Sequence, residues 1–393
     1  MPWPERESVM QRDPRSPMHD QIAGTEATGT SMPASAASDA LVRGLREDLR
    51  RIVPPSRTAS HSGPIPDVER YEPSDDARQQ WLNVAPRAGR PSVGAVMSSF
   101  NKKDWVRKNL QAIRKQTIKF DRVVVVDNDS HDGSAAMIRE EFPEVDLIVM
   151  PHSAYGACET FNIGFKNAET DFVAILDDDV QLCEDWVELT LAKMASEPSS
   201  TAMISTRVVE PGMPDWFLNH PEVHRERYMA TFRGCATLAR RDVLEQCGYY
   251  DEAFFIYGNE RDLSARVMNA GYRILQYPTA WCHHGTPFGM KAGPRSLYYH
   301  VRNLWWYLFK HVAIWQIVQF VLSQAAGLFR RQPDETEVRA DAVGTIGIFG
   351  VIKETPSGWW IVIKATLAAF LGLPRCLRQR KVCRHPDFAL PTK

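Results

Sequence analysis

The chain has 393 residues, 44% of them apolar and 24% charged, the balance of a foldable protein rather than a disordered one. Lys and Arg total 47 against 48 Asp and Glu, a formal net charge of -1, which argues against a chain built as a whole to grip nucleic acid. Seven cysteines, none in a C-x-x-C pair, exclude a disulfide scaffold or a zinc ribbon and read as buried thiols of a reducing compartment.

The first thirty residues carry Asp, Glu and Arg throughout and lack an apolar run of signal-peptide length, so a cytoplasmic start is expected. Residues 1–90 are rich in Pro, Ser, Ala and Arg, a composition that cannot bury enough apolar area to offset chain entropy, and are expected to be largely flexible. Within them Leu41, Leu45, Leu49 and Ile52 recur at helical spacing and predict a short amphipathic helix over 39–53.

From residue 92 strands and helices alternate. Short strands are predicted at 93–97, 123–126, 145–150 and 171–176, and helices at 102–117, 133–141 and 157–167. Four consecutive valines at 123–126 mark a strand buried on both faces of a parallel sheet. Strands alternating with helices imply an α/β domain with right-handed crossovers. In such sheets ligands bind beyond the carboxyl ends of the strands.

Those ends read Ser98-Ser99-Phe100-Asn101, Asp127-Asn128-Asp129-Ser130 and Asp177-Asp178-Asp179. No glycine-rich turn follows the first strand and no GxxxxGK[ST] occurs, so dinucleotide and P-loop cradles are missing. Three adjacent carboxylates at a buried strand end repel one another unless a cation sits among them, and hard oxygen ligands favour Mg2+ or Mn2+. A solvated acidic turn would read the same way. Downstream, Glu260 and Asp262 open a helix whose apolar face is Leu263, Val267 and Ala270 and whose end is Gly271; acidic residues there also suit the helix dipole. After a strand predicted at 272–276 come the adjacent histidines His283 and His284, of which at most one can face a given metal.

The ordered set VGAVMSSFNK, VVVVDNDSHDGS, YGACETFNIGF, VAILDDDV, FRGCATLARRDVLEQCGYYDEAFFIYGNERDLSARVMNAGYRI, HHG and YYHVRN resembles the family 2 inverting glycosyltransferases, particularly bacterial rhamnosyl- and galactofuranosyltransferase-like members. The likeness runs from about residue 93 to 310. It implies a GT-A fold, Rossmann-like with a mainly parallel central sheet, over 91–310, between the flexible segment 1–90 and a helical extension at 311–393. By resemblance, Asp127 would hydrogen-bond the nucleotide base, Ser98 and Phe100 would line the same pocket, and Asp178 belongs to the donor site. Asp177 and Asp179 match the DxD pair that holds Mn2+ or Mg2+, with His283 completing the shell and His284 as the fallback. Glu260 takes the place of the catalytic base with Asp262 as companion or substitute, and Gly234 falls in the acceptor-side loop. Two departures are visible: Asn259-Glu260 stands where the family usually has Glu-Asp, and Ala154 where an Asn is usual.

The chemistry agrees with this likeness. Transfer from a nucleotide sugar needs a Lewis acid for the leaving diphosphate and a carboxylate that takes the acceptor proton. One base on the opposite face gives inversion in a single displacement. The expected partners are a UDP- or dTDP-sugar donor and a saccharide or lipid-linked acceptor of the cell envelope, with no nucleic acid.

After Asn303 the chain turns aromatic and apolar, but Gln316, Gln319 and Gln324 interrupt 312–329 and Lys364 interrupts 359–373, so neither is a clean span. Trp-rich apolar helices followed by Arg375, Arg378, Arg380, Lys381 and Arg384 suit peripheral attachment to anionic lipid on the inner face of the membrane. Two other readings stay open: a metal-dependent sugar nucleotidyltransferase, disfavoured by SSFNK after the first strand, and a degenerate non-catalytic partner.

Overall fold

The computed structural model describes residues 68–82, 89–327 and 348–390; the helix expected at 39–53 lies outside them. Ten strands form one mixed sheet: β1 (Glu69–Tyr71), β2 (Val93–Ser99), β3 (Arg122–Asp127), β4 (Asp146–Val149), β5 (Phe172–Asp177), β6 (Val180–Leu182), β7 (Thr201–Val209), β8 (Arg227–Tyr228), β9 (Ala236–Arg240) and β10 (Arg273–His284). The order is β1-β4-β3-β2-β5-β9-β7-β10-β6, with β8 paired to β10. β4, β3, β2 and β5 run parallel, β9 is antiparallel to both neighbours, and β7 and β10 are again parallel. This is the α/β class with a mainly parallel centre that the sequence predicts.

The valine run behaves as β geometry requires. Val123 and Val125 enter one core with the helices Lys103–Arg114, Ser134–Glu141 and Trp186–Ser196. Val124 and Val126 enter a second core with Ala157–Ala168 and Asn259–Asn269 on the other face. The helix Ala157–Ala168 lies so close to the sheet that a Cβ on Gly164 would come within 2.4 Å of Val96 Cγ1. The strand predicted at 272–276 is longer than its apolar pattern, because Pro278 is carried in a register shift between Tyr277 and Trp281 rather than ending the strand. Proline lacks the ladder N–H and is tolerated at such an irregularity.

Part of the segment expected to be flexible is folded. β1 adds antiparallel to the edge strand β4. The helix Asp75–Leu82 is held by Trp81 Nε1 donating to the Phe120 carbonyl at 2.8 Å and by an Arg78–Asp146 ion pair of 2.9 Å. These are long-range partners, invisible in a Pro- and Arg-rich local composition.

The helix Pro294–His311 leads into a helical extension comprising Ile314–Gly327, Ile348–Glu354, Gly358–Leu371 and Leu373–Arg378. Gly358–Leu371 packs along Pro294–His311, where Trp306 Nε1 donates to the Ala369 carbonyl at 3.1 Å. Among the described residues no helix is long and apolar enough to cross a membrane.

Substituting Gly164→Ala should destabilise the fold by about 1–3 kcal/mol, the usual cost of overpacking a filled interior. Urea unfolding measures this, and an unchanged midpoint would mean that helix and sheet separate freely at this contact.

Candidate active site

The chain builds β2, β3 and β4 outward on one side, then crosses to place β5 on the other side of β2. The connection reverses between β2 and β5, and a crevice opens at the carboxyl ends of strands at such a point. In register, Ser98 lies beside Asp177 and Ser99 beside Asp127. The three strand ends singled out in the sequence therefore meet in one place.

On the β3 side Asp127 is fully buried, accepts from the Ser130 N–H at 2.8 Å through Oδ1, and leaves Oδ2 without a partner. Burial raises its carboxyl above the usual range. Ser99 Oγ and Asn128 Oδ1 are also buried and unpartnered. Unmade hydrogen bonds of this kind are costly unless a ligand completes them. Phe100 stands 42% exposed at the rim. Ser98 Oγ shares a 2.7 Å hydrogen bond with Thr160 Oγ1, so it acts at the crevice wall together with that helix.

The acidic triplet divides by direction. Asp177 and Asp179 converge with His284, whose Nε2 lies 3.1 Å from Asp179 Oδ1 and 3.6 Å from Asp177 Oδ2; the ligand atoms of all three fall within 4.8 Å of one another. Asp178 turns to Lys102 Nζ at 2.9 Å and the Phe100 N–H at 3.4 Å. Burial pushes the Asp178 carboxyl up to about 6 and raises that of Asp177, which Asp179 raises further. Asp179 goes the other way: burial opposes its ionisation, but His284 and Lys102 (Nζ at 3.0 Å) outweigh it. Burial lowers the His284 imidazole, while Asp179, Glu210 and Asp177 raise it, to about 12.

His283, the residue matched to the metal shell, is not the one that arrives. Successive side chains on β10 point to opposite faces, and His283 sits exposed, edge-on to Trp281 at 4.9 Å. The fallback His284 faces the carboxylates. Glu210, just beyond β7, accepts or shares a proton with His284 Nδ1 at 2.8 Å and fixes which ring nitrogen faces the crevice. A hard O, O and imidazole N donor set with a buried Asp179 Oδ1 that makes no aligned hydrogen bond fits a divalent cation such as Mn2+ or Mg2+.

Glu260 and Asp262 part company. Both belong to Asn259–Asn269, but two positions on a helix turn the side chain about 200°. Asp262 is fully buried, with Oδ1 on Lys310 Nζ at 2.5 Å and His311 Nε2 at 2.9 Å and Oδ2 on Arg266 at 2.9 Å. Despite burial, Arg266, His311 and Lys310 hold its carboxyl well below the usual range. Both oxygens are thus occupied by cationic side chains, and Asp262, expected as a companion or substitute for Glu260, ties its helix to Pro294–His311 and offers no open oxygen. Glu260 instead lines a cavity of about 270 Å³ together with Gly234 and Arg261. Its carboxyl is pushed up to about 7 by burial, with Asp177 adding to the shift. Asn259 Nδ2 donates to Glu260 Oε1 at 3.2 Å, so the residue that departs from the family pattern orients the carboxylate. A Cβ on Gly234 would lie 2.7 Å from the same oxygen.

The loop before Glu260 is held in an unusual shape. Phe255 and Tyr257 have φ of 68° and 66°, a region that bulky residues rarely occupy. Asn303 Nδ2 compensates by donating to the carbonyls of Phe254, Ile256 and Tyr257 at 3.0, 2.8 and 2.7 Å. Asn303, Lys102, Glu210 and Thr160 were not singled out from the sequence; only the position of Glu210 at a strand's carboxyl end offered a signal.

Residues 95–261 match the family model described as Glycosyl transferase family 2. The pre-mycofactocin glycosyltransferase of Mycobacterium tuberculosis is 26% identical over 266 residues, covering 62% of this chain and 54% of that protein. The succinoglycan biosynthesis protein ExoM of Rhizobium meliloti is 26% identical over 178 residues, covering 42% and 57%. The chain thus spans a little over half the length of these curated relatives. A solved mannosyltransferase of Pyrobaculum calidifontis, in complex with GDP-Man and Mn2+, superposes with a TM-score of 0.45 at 18% identity over 76% of this chain and 81% of that one.

Two outcomes follow from the geometry. In Mn2+ titrations followed by electron paramagnetic resonance, His284→Ala should lose binding and Glu210→Ala should weaken it by about 10–100-fold, whereas His283→Ala should bind as the parent does. Because the Glu260 carboxyl is raised from 4.5 to about 7, the folded chain binds more protons than the unfolded one in that window, and stability falls as pH rises through it. Glu260→Gln should therefore be more resistant to urea than the parent above about pH 7 and gain nothing below about pH 4.5; equal resistance at both ends would place the carboxyl in water.

Proposed function

Because the chain carries a glycosyltransferase family 2 domain over residues 95–261, we propose that it moves a sugar from a UDP- or dTDP-sugar to an acceptor hydroxyl with inversion, in the synthesis of a cell-envelope saccharide or glycolipid. The observation that carries this reading is Glu260, a carboxylate raised to about 7 on the wall of a cavity and within the field of Asp177. A base poised near the working pH is what removal of an acceptor proton requires.

Asp127 accepts from the nucleotide base through its open Oδ2, with Ser98, Phe100 and Asp178 around the same crevice. Lys102 holds Asp178 and Asp179 in place by donating to both. A divalent cation, Mn2+ or Mg2+, held by Asp177, Asp179 and His284 would neutralise the departing diphosphate. Glu260 takes the acceptor proton at its carboxylate, and Asn259 and Gly234 set where that carboxylate lies. Asp262, locked among cations, keeps the helix in position and leaves a single base, which suits one displacement with inversion.

We place the enzyme at the cytoplasmic face of a membrane. Trp315 and Leu322 on Ile314–Gly327 are 62% and 64% exposed, and Trp359 and Leu371 on Gly358–Leu371 are 53% and 81% exposed. Apolar patches of this kind, with exposed Arg378 and Arg384 nearby in sequence, suit a shallow lie on anionic lipid.

Donor turnover is the deciding experiment. With Mn2+ and a panel of UDP- and dTDP-sugars, nucleoside diphosphate release supports glycosyl transfer. Pyrophosphate release from nucleoside triphosphate plus sugar phosphate would favour a nucleotidyltransferase, and silence in both a non-catalytic partner. Glu260→Gln should keep donor binding and lose transfer by at least about 100-fold, and the parent rate should rise as pH passes about 7. Flotation with anionic vesicles tests the membrane reading: the parent should float and a Trp359→Ser/Trp360→Ser variant should not, while a parent that stays at the bottom ends it.

A further inference from the structure

The cavity beside Glu260 has a character that a plain sugar acceptor does not call for. Its volume is about 270 Å³, whereas an apolar cavity of about 150 Å³ takes up a benzene ring. It therefore has room for one ring with its substituents. Much of the wall is apolar: Met213, Phe217, Val223, Met229 and Met290, with Phe217 backed by Phe288 at 4.8 Å between rings. Methionine sulfur and aromatic edges are adaptable surfaces for a flat apolar body.

Several polar side chains that reach this cavity are already engaged. The Asn303 amide holds three carbonyls of the 254–257 loop. Arg233 donates to the Thr206 carbonyl at 3.2 Å and to Gln276 Oε1 at 2.8 Å. His300 Nδ1 lies 2.8 Å from the Ser296 carbonyl, and Glu210 is bound to His284. A ring bearing hydroxyls on every carbon would find few free partners among these four side chains, and a hydroxyl buried without one is costly. Arg207 is different. It lines the same cavity, its Nε is buried without a hydrogen-bond partner, and among the described residues it makes no ion pair.

We infer that the acceptor is a compact amphiphile, with an apolar ring-sized body seated among Met213, Phe217, Met229 and Met290 and an anionic group on Arg207. This deepens the glycosyl-transfer reading and rests on Glu260 as the base, since the body must present its hydroxyl to that carboxylate. The donor crevice at Asp127 and Asp177 is not involved in the choice.

Four small ligands separate the two recognition elements: phenyl phosphate (apolar, anionic), 2-phenylethanol (apolar, neutral), glucose 6-phosphate (polar, anionic) and glucose (polar, neutral). Calorimetric or saturation-transfer titration of the full chain with Mn2+ should find phenyl phosphate at least about tenfold tighter than either single-feature ligand. Arg207→Met should erase the preference of phenyl phosphate over 2-phenylethanol, and Met290→Asn its preference over glucose 6-phosphate. Glucose or glucose 6-phosphate binding as tightly as phenyl phosphate would overturn the inference. So would binding of phenyl phosphate that neither substitution changes, or no binding of any of the four. Nucleotide-sugar binding in the same samples reports on the donor reading separately. If it fails while phenyl phosphate still responds to both substitutions, the cavity remains an amphiphile site and only the transfer reaction falls.

Discussion

Crowded negative charge at the carboxyl end of β5 is the constraint around which the rest is arranged. Asp177, Asp178 and Asp179 follow one another where the chain leaves a buried strand, and uncompensated they would repel both one another and the fold. Compensation comes from remote segments: Lys102 after β2, His284 at the end of β10 and, through His284, Glu210 beyond β7. A proton on His284 and the Lys102 ammonium offset part of this negative charge in the protein by itself. A divalent ion taking the place of that proton would couple cation binding to proton release.

A second cluster of charge solves a different problem. Asp251 and Asp262 are enclosed with Lys310, His311, Arg266 and Arg375, in a region where single charges could not stay buried. The cluster ties the helix bearing Glu260 to Pro294–His311 and to the last helix of the chain. Asn303 and Arg302 reinforce this tie by donating to the 253–257 carbonyls. The C-terminal extension is thereby part of the support of the helix that carries Glu260. Removing one partner of such a cluster leaves an unpaired buried charge, so these positions tolerate little change.

The two carboxylates of Asn259–Asn269 show how environment assigns roles to like groups. Glu260, facing a mostly apolar cavity, holds its proton to about 7. Asp262, one side of the helix away, is surrounded by cations and stays ionised. Asn259, which departs from the pattern of the resembling family, donates to Glu260 and helps fix where its carboxylate lies.

The sequence by itself determined the α/β alternation, the parallel centre and the acidic strand ends. These rest on local signals: four valines in a row, helical spacing of Val106, Leu110 and Ile113, and motifs a few residues long. It also brought Asp127, Asp177, Asp179 and Glu260 forward as candidates, and the fold gathers Asp127, Asp177 and Asp179 at adjoining strand ends. Only the tertiary structure decided between His283 and His284, because one step along β10 reverses the side chain and a register shift at Pro278 sets which face is which. Only it showed Asp262 enclosed by cations, since Lys310 and His311 are almost fifty residues away in the chain. The folded strand and helix at 69–82 were hidden for the same reason: their partners, Phe120 and Asp146, become neighbours only when the sheet closes. Pattern along the chain reports the period of burial; the identity of a side chain's partner is a property of the assembled core.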